Sequence, residues 1–183
     1  MKNLFRILFI ILVSLASSSC SKWLDLQPQD GITKAEFWKT KEDVKAALYG
    51  IYSSLNDGGV EERIFLWGEL RGDMVVPTTN ASDDDRLVKN MNILSTNDLS
   101  NWAPMYKAIN NCNLLLDFAG EAKASDPTFT DELFYNAYIG EALTVRSLLY
   151  FYLVRTFRDI PLKLKGSYKD TDIQSTPSPH LSR

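Results

Sequence analysis

Glu141-Ala142-Leu143-Thr144-Val145-Arg146-Ser147-Leu148-Leu149-Tyr150-Phe151-Tyr152-Leu153-Val154 is the stretch whose reading decides the fold class. Ala142, Leu149 and Leu153 recur at helical spacing, as do Leu143, Tyr150, Val154 and Phe157. Leu148, Phe151 and Tyr152 widen the apolar stripe until it covers most of the helix. Such a helix must be largely covered by other elements. Thr130 is placed as its N-cap, and the helix is predicted to run to about Thr156. Arg146 sits within the stripe, so a carboxylate or carbonyl partner is expected. Pro161 ends the element.

Working back from there, Asp126-Pro127-Thr128 reads as a linker. Before it, Trp102, Met105, Ile109, Cys112 and Leu116 line one helical face. That helix is predicted from Ser100 or Asn101 to about Ala119, with Gly120 as its stop. Asn110, Asn111 and Asn113 are unusual inside a helix, because their amides compete with the backbone. They either face water or bond to a neighbouring loop. Residues 60–100 read as less regular, with an apolar patch at Phe65-Leu66-Trp67. Residues 78–100 are rich in Thr, Asn, Ser and Asp and are predicted to be a long loop. Upstream, Val44, Ala47, Leu48, Ile51, Tyr52 and Leu55 repeat at helical spacing behind a Thr40 cap with Asp43 in the first turn. Gly50 inside this helix points to close approach of a neighbouring helix. Asn56 to Gly59 stop it. Thr33 with Glu36 can box the start of a short turn through Phe37 and Trp38.

The N-terminus has the order of a secretory signal: Lys2 and Arg6, an apolar run from Ile7 to Val13, then small residues to Cys20. The apolar run is too short to cross a bilayer, which takes about 20 residues. Removing residues 1–19 leaves roughly 160 residues, about one domain. The residues before Cys20 resemble a lipobox, with Ser17 where Leu is typical. Lipidation at Cys20 is one outcome, and ordinary cleavage to a soluble periplasmic protein is the other. Ser21 after the Cys resembles outer-membrane sorting.

Composition removes several classes. A net charge of -3 offers no basic face, so no nucleic-acid partner is expected. An aromatic content of 11% argues against disorder. Cys112 falls on an apolar helical face and reads as a buried thiol. His180, the one histidine, lies in a Pro/Ser tail, so no nucleophile–base pair suggests itself. Asp83-Asp84-Asp85 reads as a solvated charge run, lacking the alternating ligands and glycine of a Ca²⁺ loop. No phosphate loop, zinc spacing, cofactor motif or catalytic pair stands out.

Taken together, several stretches resemble the SusD/RagB family of outer-membrane nutrient-binding lipoproteins. They are Trp23-Leu24-Asp25-Leu26-Gln27-Pro28-Gln29-Asp30 after Cys20, Phe37-Trp38-Lys39-Thr40, and Ala46-Ala47-Leu48-Tyr49-Gly50-Ile51-Tyr52. Further along come Trp67-Gly68-Glu69-Leu70-Arg71-Gly72-Asp73, Trp102-Ala103-Pro104-Met105-Tyr106 and the opening stretch running on to Asp159-Ile160-Pro161-Leu162. The resemblance implies an all-α fold of tetratricopeptide-like helical pairs with long loops, incomplete relative to the longer family. The residues themselves divide the chain into 1–19 as signal peptide, 20–32 as an extended lipid-anchored tether, 33–165 as the helical domain and 166–183 as an irregular tail. The resemblance also implies a binding protein, not an enzyme, on the outer membrane. Its partners would be an oligosaccharide or other nutrient and a SusC-like TonB-dependent transporter. The alternatives are a helical scaffold without ligand, or a nonfunctional truncated remnant. Arg158 departs from the family, which has Gly after the long helix.

A sugar site needs a flat aromatic face with amides and carboxylates around it. The 78–100 segment supplies polar groups, Asn80, Asp83, Arg86 and Asn90, and no aromatic. Trp67 and Trp102 flank it. Trp102 is assigned to the core of its helix, and Trp67 is balanced between core and ligand.

Overall fold

The computed structural model describes residues 34–168. The chain divides into two compact units, residues 1–36 and 37–183. Only the last three residues of the first are described, and the account below concerns the second. The signal peptide, Cys20, the tether and Thr33 lie outside the described residues.

Every regular element among the described residues is helical. After a short turn, Lys34–Phe37 (α1), come Lys41–Asn56 (α2), Val60–Phe65 (α3), Asp83–Lys89 (α4), Ala103–Ser125 (α5) and Glu132–Phe157 (α6). The expectation of an all-α chain therefore holds. α5 packs against both α2 and α6, and the core lies among these three.

α2 starts as its sequence dictates. The Thr40 hydroxyl accepts from the Asp43 amide at 3.2 Å, and the Asp43 carboxylate accepts from the Thr40 amide at 2.8 Å. This reciprocal box satisfies donors that a helix start leaves unpaired. Val44, Leu48 and Ile51 are buried on one face. Gly50 does not mark a helix crossing, because a Cβ built there meets nothing within 4 Å.

Residues 60–100 are more regular than their composition suggests. α3 continues into a π-helical turn, Leu66–Leu70. The wider turn lets Trp67 face the main core while Leu70 packs with Val88 and Leu99 in a second, smaller cluster. The predicted long loop contains α4. Its start is another reciprocal box, with the Ser82 hydroxyl accepting from Asp85 N at 3.1 Å and the Asp85 carboxylate from Ser82 N at 3.0 Å. Its end is a Schellman turn: Asn92 N donates to Leu87 O at 2.9 Å and Met91 N to Val88 O at 3.1 Å. Met91 takes the left-handed position, at φ 57°.

α5 runs past Gly120 and stops at Asp126-Pro127, where proline disfavours a further helical residue. The N-cap of α6 is Asp131, whose carboxylate accepts from Leu133 N at 2.8 Å, rather than Thr130. Ala142, Val145, Leu149 and Leu153 form its buried face. Leu133, Leu148 and Phe151 on its outer face are exposed, so α6 is covered on one side only.

After α6 the chain reverses. Arg158 has φ 68° and ψ -82°, and Asp159 N donates to Phe157 O at 3.0 Å. This is a γ-turn with positive φ, strained for any residue with a side chain. Residues 160–168 then return as an extended strap held mainly by side chains of α5. Asn113 Nδ2 donates to the carbonyls of Lys163 and Lys165 at 3.0 and 3.2 Å. Asn110 pairs with Ser167 in both directions, and the Asp117 carboxylate accepts from Gly166 N at 2.8 Å. The strap passes the 165/166 boundary drawn from sequence and stays pinned to Tyr168, whose ring meets Phe118 at 5.7 Å.

Candidate functional site

The site grows from the start of α5. The Asn101 side chain accepts from Ala103 N at 2.9 Å and opens the helix, with Pro104 in the first turn. Arg63, 4% exposed, fixes the preceding segment. Its guanidinium donates to the carbonyls of Gly59, Asp98 and Asn101 at 3.1, 2.9 and 3.2 Å. Asn97, also buried, donates to Asp84 O and accepts from Leu99 N, which ties the segment to α4.

Trp102 stands at this junction, half-buried. Its ring lies 5.3 Å from Phe157 and 6.2 Å from Tyr106. A cleft opens on each side of it. The first, of about 380 Å³, is lined by Trp102, Tyr106, Asn110, Asn113 and the strap. Its polar groups are already engaged, since the amides hold the strap and Tyr106 donates to Pro161 O at 2.5 Å. Burial, helped by Tyr150 nearby, holds the Tyr106 phenol well above its ordinary pKa. The second cleft, of about 440 Å³, lies between residues 93–100 and the end of α6. Leu94, Ser95, Ser100, Trp102, Thr156 and Phe157 line it. Thr156 Oγ1 is buried and has no hydrogen-bond partner. Such a hydroxyl costs about 1–3 kcal/mol until it finds a partner. Two rings, the exposed Ser95 and one unsatisfied hydroxyl make this the described cleft best suited to a polyhydroxylated ligand with an apolar face, while the Ser100 hydroxyl already donates to Leu94 O at 3.0 Å.

The residues chosen from sequence fall differently. Asn80, Asp83, Arg86 and Asn90 are all exposed, on α4 and the turns at its ends. Arg86 is partly engaged, donating to the carbonyls of Thr78 and Thr79 at 3.3 and 2.8 Å. Trp67 is not with them. It is 3% exposed, its Nε1 donates to Leu99 O at 3.2 Å, and its ring meets Phe157 edge-on at 5.1 Å. Trp67 is a core residue whose faces no sugar can reach, and Trp102 is the aromatic that borders a cleft. The Ser95 and Thr156 hydroxyls carry no sequence signal that would single them out. No group of three metal-ligating side chains occurs among the described residues. Nor is any described helix long and apolar enough to cross a membrane.

Helices of this order, with a cleft at the head of α5, define an all-helical scaffold. Residues 22–178 match the SusD-like family model described as starch-binding and associating with the outer membrane, and the chain belongs to that family. It is 31% identical over 174 residues to SusD-like protein P38 of Formosa agariphila, covering 93% of this chain and 32% of that protein. SusD-like protein P2 of the same organism is 29% identical over 167 residues, covering 86% of this chain and 30% of that one. A crystal structure of a SusD superfamily protein from Bacteroides thetaiotaomicron superposes with a TM-score of 0.61 at 26% identity, over 77% of this chain and 32% of that one. The chain thus spans about a third of the length of these relatives.

Proposed function

We propose that the chain is a glycan-binding accessory lipoprotein of the outer membrane. It is anchored through acylated Cys20 and passes its ligand to a TonB-dependent transporter, without catalysis. The family match over residues 22–178 supports the class. The observation that carries the binding role is the second cleft, where an aromatic wall stands beside a buried hydroxyl with no partner. A pyranose ring would lay its apolar face on Trp102 or Phe157 and offer hydroxyls to the exposed Ser95, and to Thr156 once the side chains enclosing its Oγ1 move aside. The exposed polar groups of Asn80, Asp83, Arg86 and Asn90 would extend the surface along α4.

The test is titration of the full chain with maltoheptaose and a panel of other oligosaccharides, read by tryptophan fluorescence and calorimetry. Saturable binding that weakens at least tenfold in Trp102→Ala supports the reading. A folded chain that binds none of the panel refutes it. The anchor has a separate test. Cells fed a fatty-acid analogue should label the wild-type chain and not Cys20→Ala.

A second reading is a scaffold without ligand. It is favoured by the engagement of both amides in the first cleft. A cooperative melt together with no glycan affinity selects it.

A further inference from the structure

One wall of the second cleft, residues 93–101, uses its own hydrogen bonds for shape. Ser100 N donates to Asn97 O at 2.9 Å, Asn101 N to Asp98 O at 3.1 Å and Ser100 Oγ to Leu94 O at 3.0 Å. Its place is set from outside. On one side α4 holds it through Asp84, whose carbonyl accepts from Asn97 Nδ2 at 3.1 Å and whose carboxylate accepts from Asp98 N at 3.0 Å. Towards Trp102 the hold passes to two side chains four residues apart. The carbonyls of Asp98 and Asn101 accept from Arg63 at 2.9 and 3.2 Å, and the Leu99 carbonyl between them accepts from Trp67 Nε1 at 3.2 Å. Arg63 and Trp67 are 4% and 3% exposed, and neither lines the cleft.

Trp67 bridges the two walls from the buried side. Its Nε1 holds Leu99 of one wall, while its ring meets Phe157 of the other edge-on, with centroids 5.1 Å apart. An indole is rigid, so these two contacts fix the separation of Leu99 and Phe157. Arg63 works on the same wall through carbonyls. The carboxylate paired with it, that of Asp98, stands 3.9 Å away and is 83% exposed, so that pairing adds little. A guanidinium presents its donors in a fixed planar fork. Here Nε, Nη1 and Nη2 reach Asn101, Gly59 and Asp98 in turn. Gly59 makes room for the fork, since a Cβ there would lie 2.7 Å from Nη1.

We propose that Trp67 and Arg63 are the positioning residues of this cleft. Trp67 sets the separation of its walls and Arg63 fixes the height of the 93–101 wall against Trp102, and neither touches the glycan. The proposal rests on the glycan-binding reading of the cleft and names what holds its geometry. Binding groups keep a productive arrangement only where packing and hydrogen bonds behind them lock it.

The test titrates the full chain with maltoheptaose and the same oligosaccharide panel by calorimetry, well below each variant's melting temperature. Trp67→Phe keeps an aromatic ring for Phe157 and loses the Nε1 donor. Arg63→Lys keeps the charge and loses the fork. Each should raise the glycan dissociation constant by about fivefold or more, the size of one net hydrogen bond. Hydrogen exchange at the amides of Ser100 and Asn101 should quicken, while exchange in α2 stays as in wild type. Asp126→Ala is the control for stability alone. It removes the 2.9 Å bond from Lys41 N, beyond the far end of α5 from the cleft, and should leave the dissociation constant unchanged. Folded Trp67→Phe and Arg63→Lys chains that bind as tightly as wild type overturn the proposal and leave the glycan reading standing. An equal weakening in Asp126→Ala overturns it too, since lost stability then accounts for the effect. If Trp67→Phe does not fold, Arg63→Lys alone decides. A wild-type chain that binds none of the panel is a different failure, which removes the glycan reading itself and this proposal with it.

Discussion

Arg146 of α6 donates to Asn113 of α5, Nη1 to Oδ1 at 2.7 Å. The nitrogen of the same amide reaches two strap carbonyls. One nearly buried asparagine, 1% exposed, therefore joins the cation inside the long helix to the returning chain.

Asn113→Ala removes all three contacts at once. It leaves Arg146 and the Lys165 carbonyl short of a partner, while the Lys163 carbonyl keeps the Tyr150 hydroxyl at 2.7 Å. Destabilisation of about 2–4 kcal/mol is expected in urea unfolding. Asn113→Asp keeps an acceptor for Arg146 and loses the two donors, so it should fall between wild type and Ala. Equal losses in both variants would show that the Arg146 contact contributes nothing, and a wild-type stability in Asn113→Asp would show that the strap contacts contribute nothing.

Two glycines should respond to alanine with opposite signs. A Cβ on Gly166 would lie 2.6 Å from Leu114 Cδ2 and 3.2 Å from Leu114 N, so Gly166→Ala must push the strap off α5. A loss of about 1–3 kcal/mol is expected, with faster proteolysis after Pro161. Gly50 meets nothing, so Gly50→Ala should gain about 0.5–1 kcal/mol from helix propensity. Thermal melts of the pair decide the matter.

Arg158 is strained at φ 68°. Replacing it with glycine, for which positive φ carries no Cβ penalty, should stabilise the chain by about 1 kcal/mol. A melting temperature that falls in Arg158→Gly would mean that the arginine side chain contributes more than the turn costs.

Burial pushes the Cys112 thiol up from 9.0 to about 11, against a smaller opposing pull from Arg146. The folded state therefore holds its proton where the unfolded chain has released it. The stability this confers is full below pH 9 and is lost as pH rises toward 11. Alkaline unfolding curves of Cys112→Ser should be flatter across that window. In the folded wild type, thiol reagents at pH 8 should react no faster than global or local opening allows.

Some of this architecture was legible in residue type and spacing, and the rest depended on packing. Thr40 and Asp43 announce α2 because both halves of the box are standard polar caps before an apolar run. Ser82 and Asp85 form the same box, yet Asp85 is hidden among acidic neighbours. The helix also ends on Met91, where a glycine would have signalled a turn. The π-helical turn at Leu66–Leu70 breaks the 3.6-residue period, so its apolar residues look like a patch rather than a helix. Asn110 and Asn113 did signal a partner. That partner is backbone, which leaves no trace in side-chain identity. Residue type and spacing assign Trp102 to the core and leave Trp67 open, whereas Trp67 is the more enclosed, because which indole is covered depends on where Phe157 comes to rest.

The strap also bears on how the chain can change. Its grip is written in the amides and carboxylate of α5, at Asn110, Asn113 and Asp117, and in the phenols of Tyr106 and Tyr150, and is read by peptide groups of residues 161–167. The outward side chains of Leu162 and Leu164 are thus free to be rewritten for a new neighbour, while the hold beneath them stays the same.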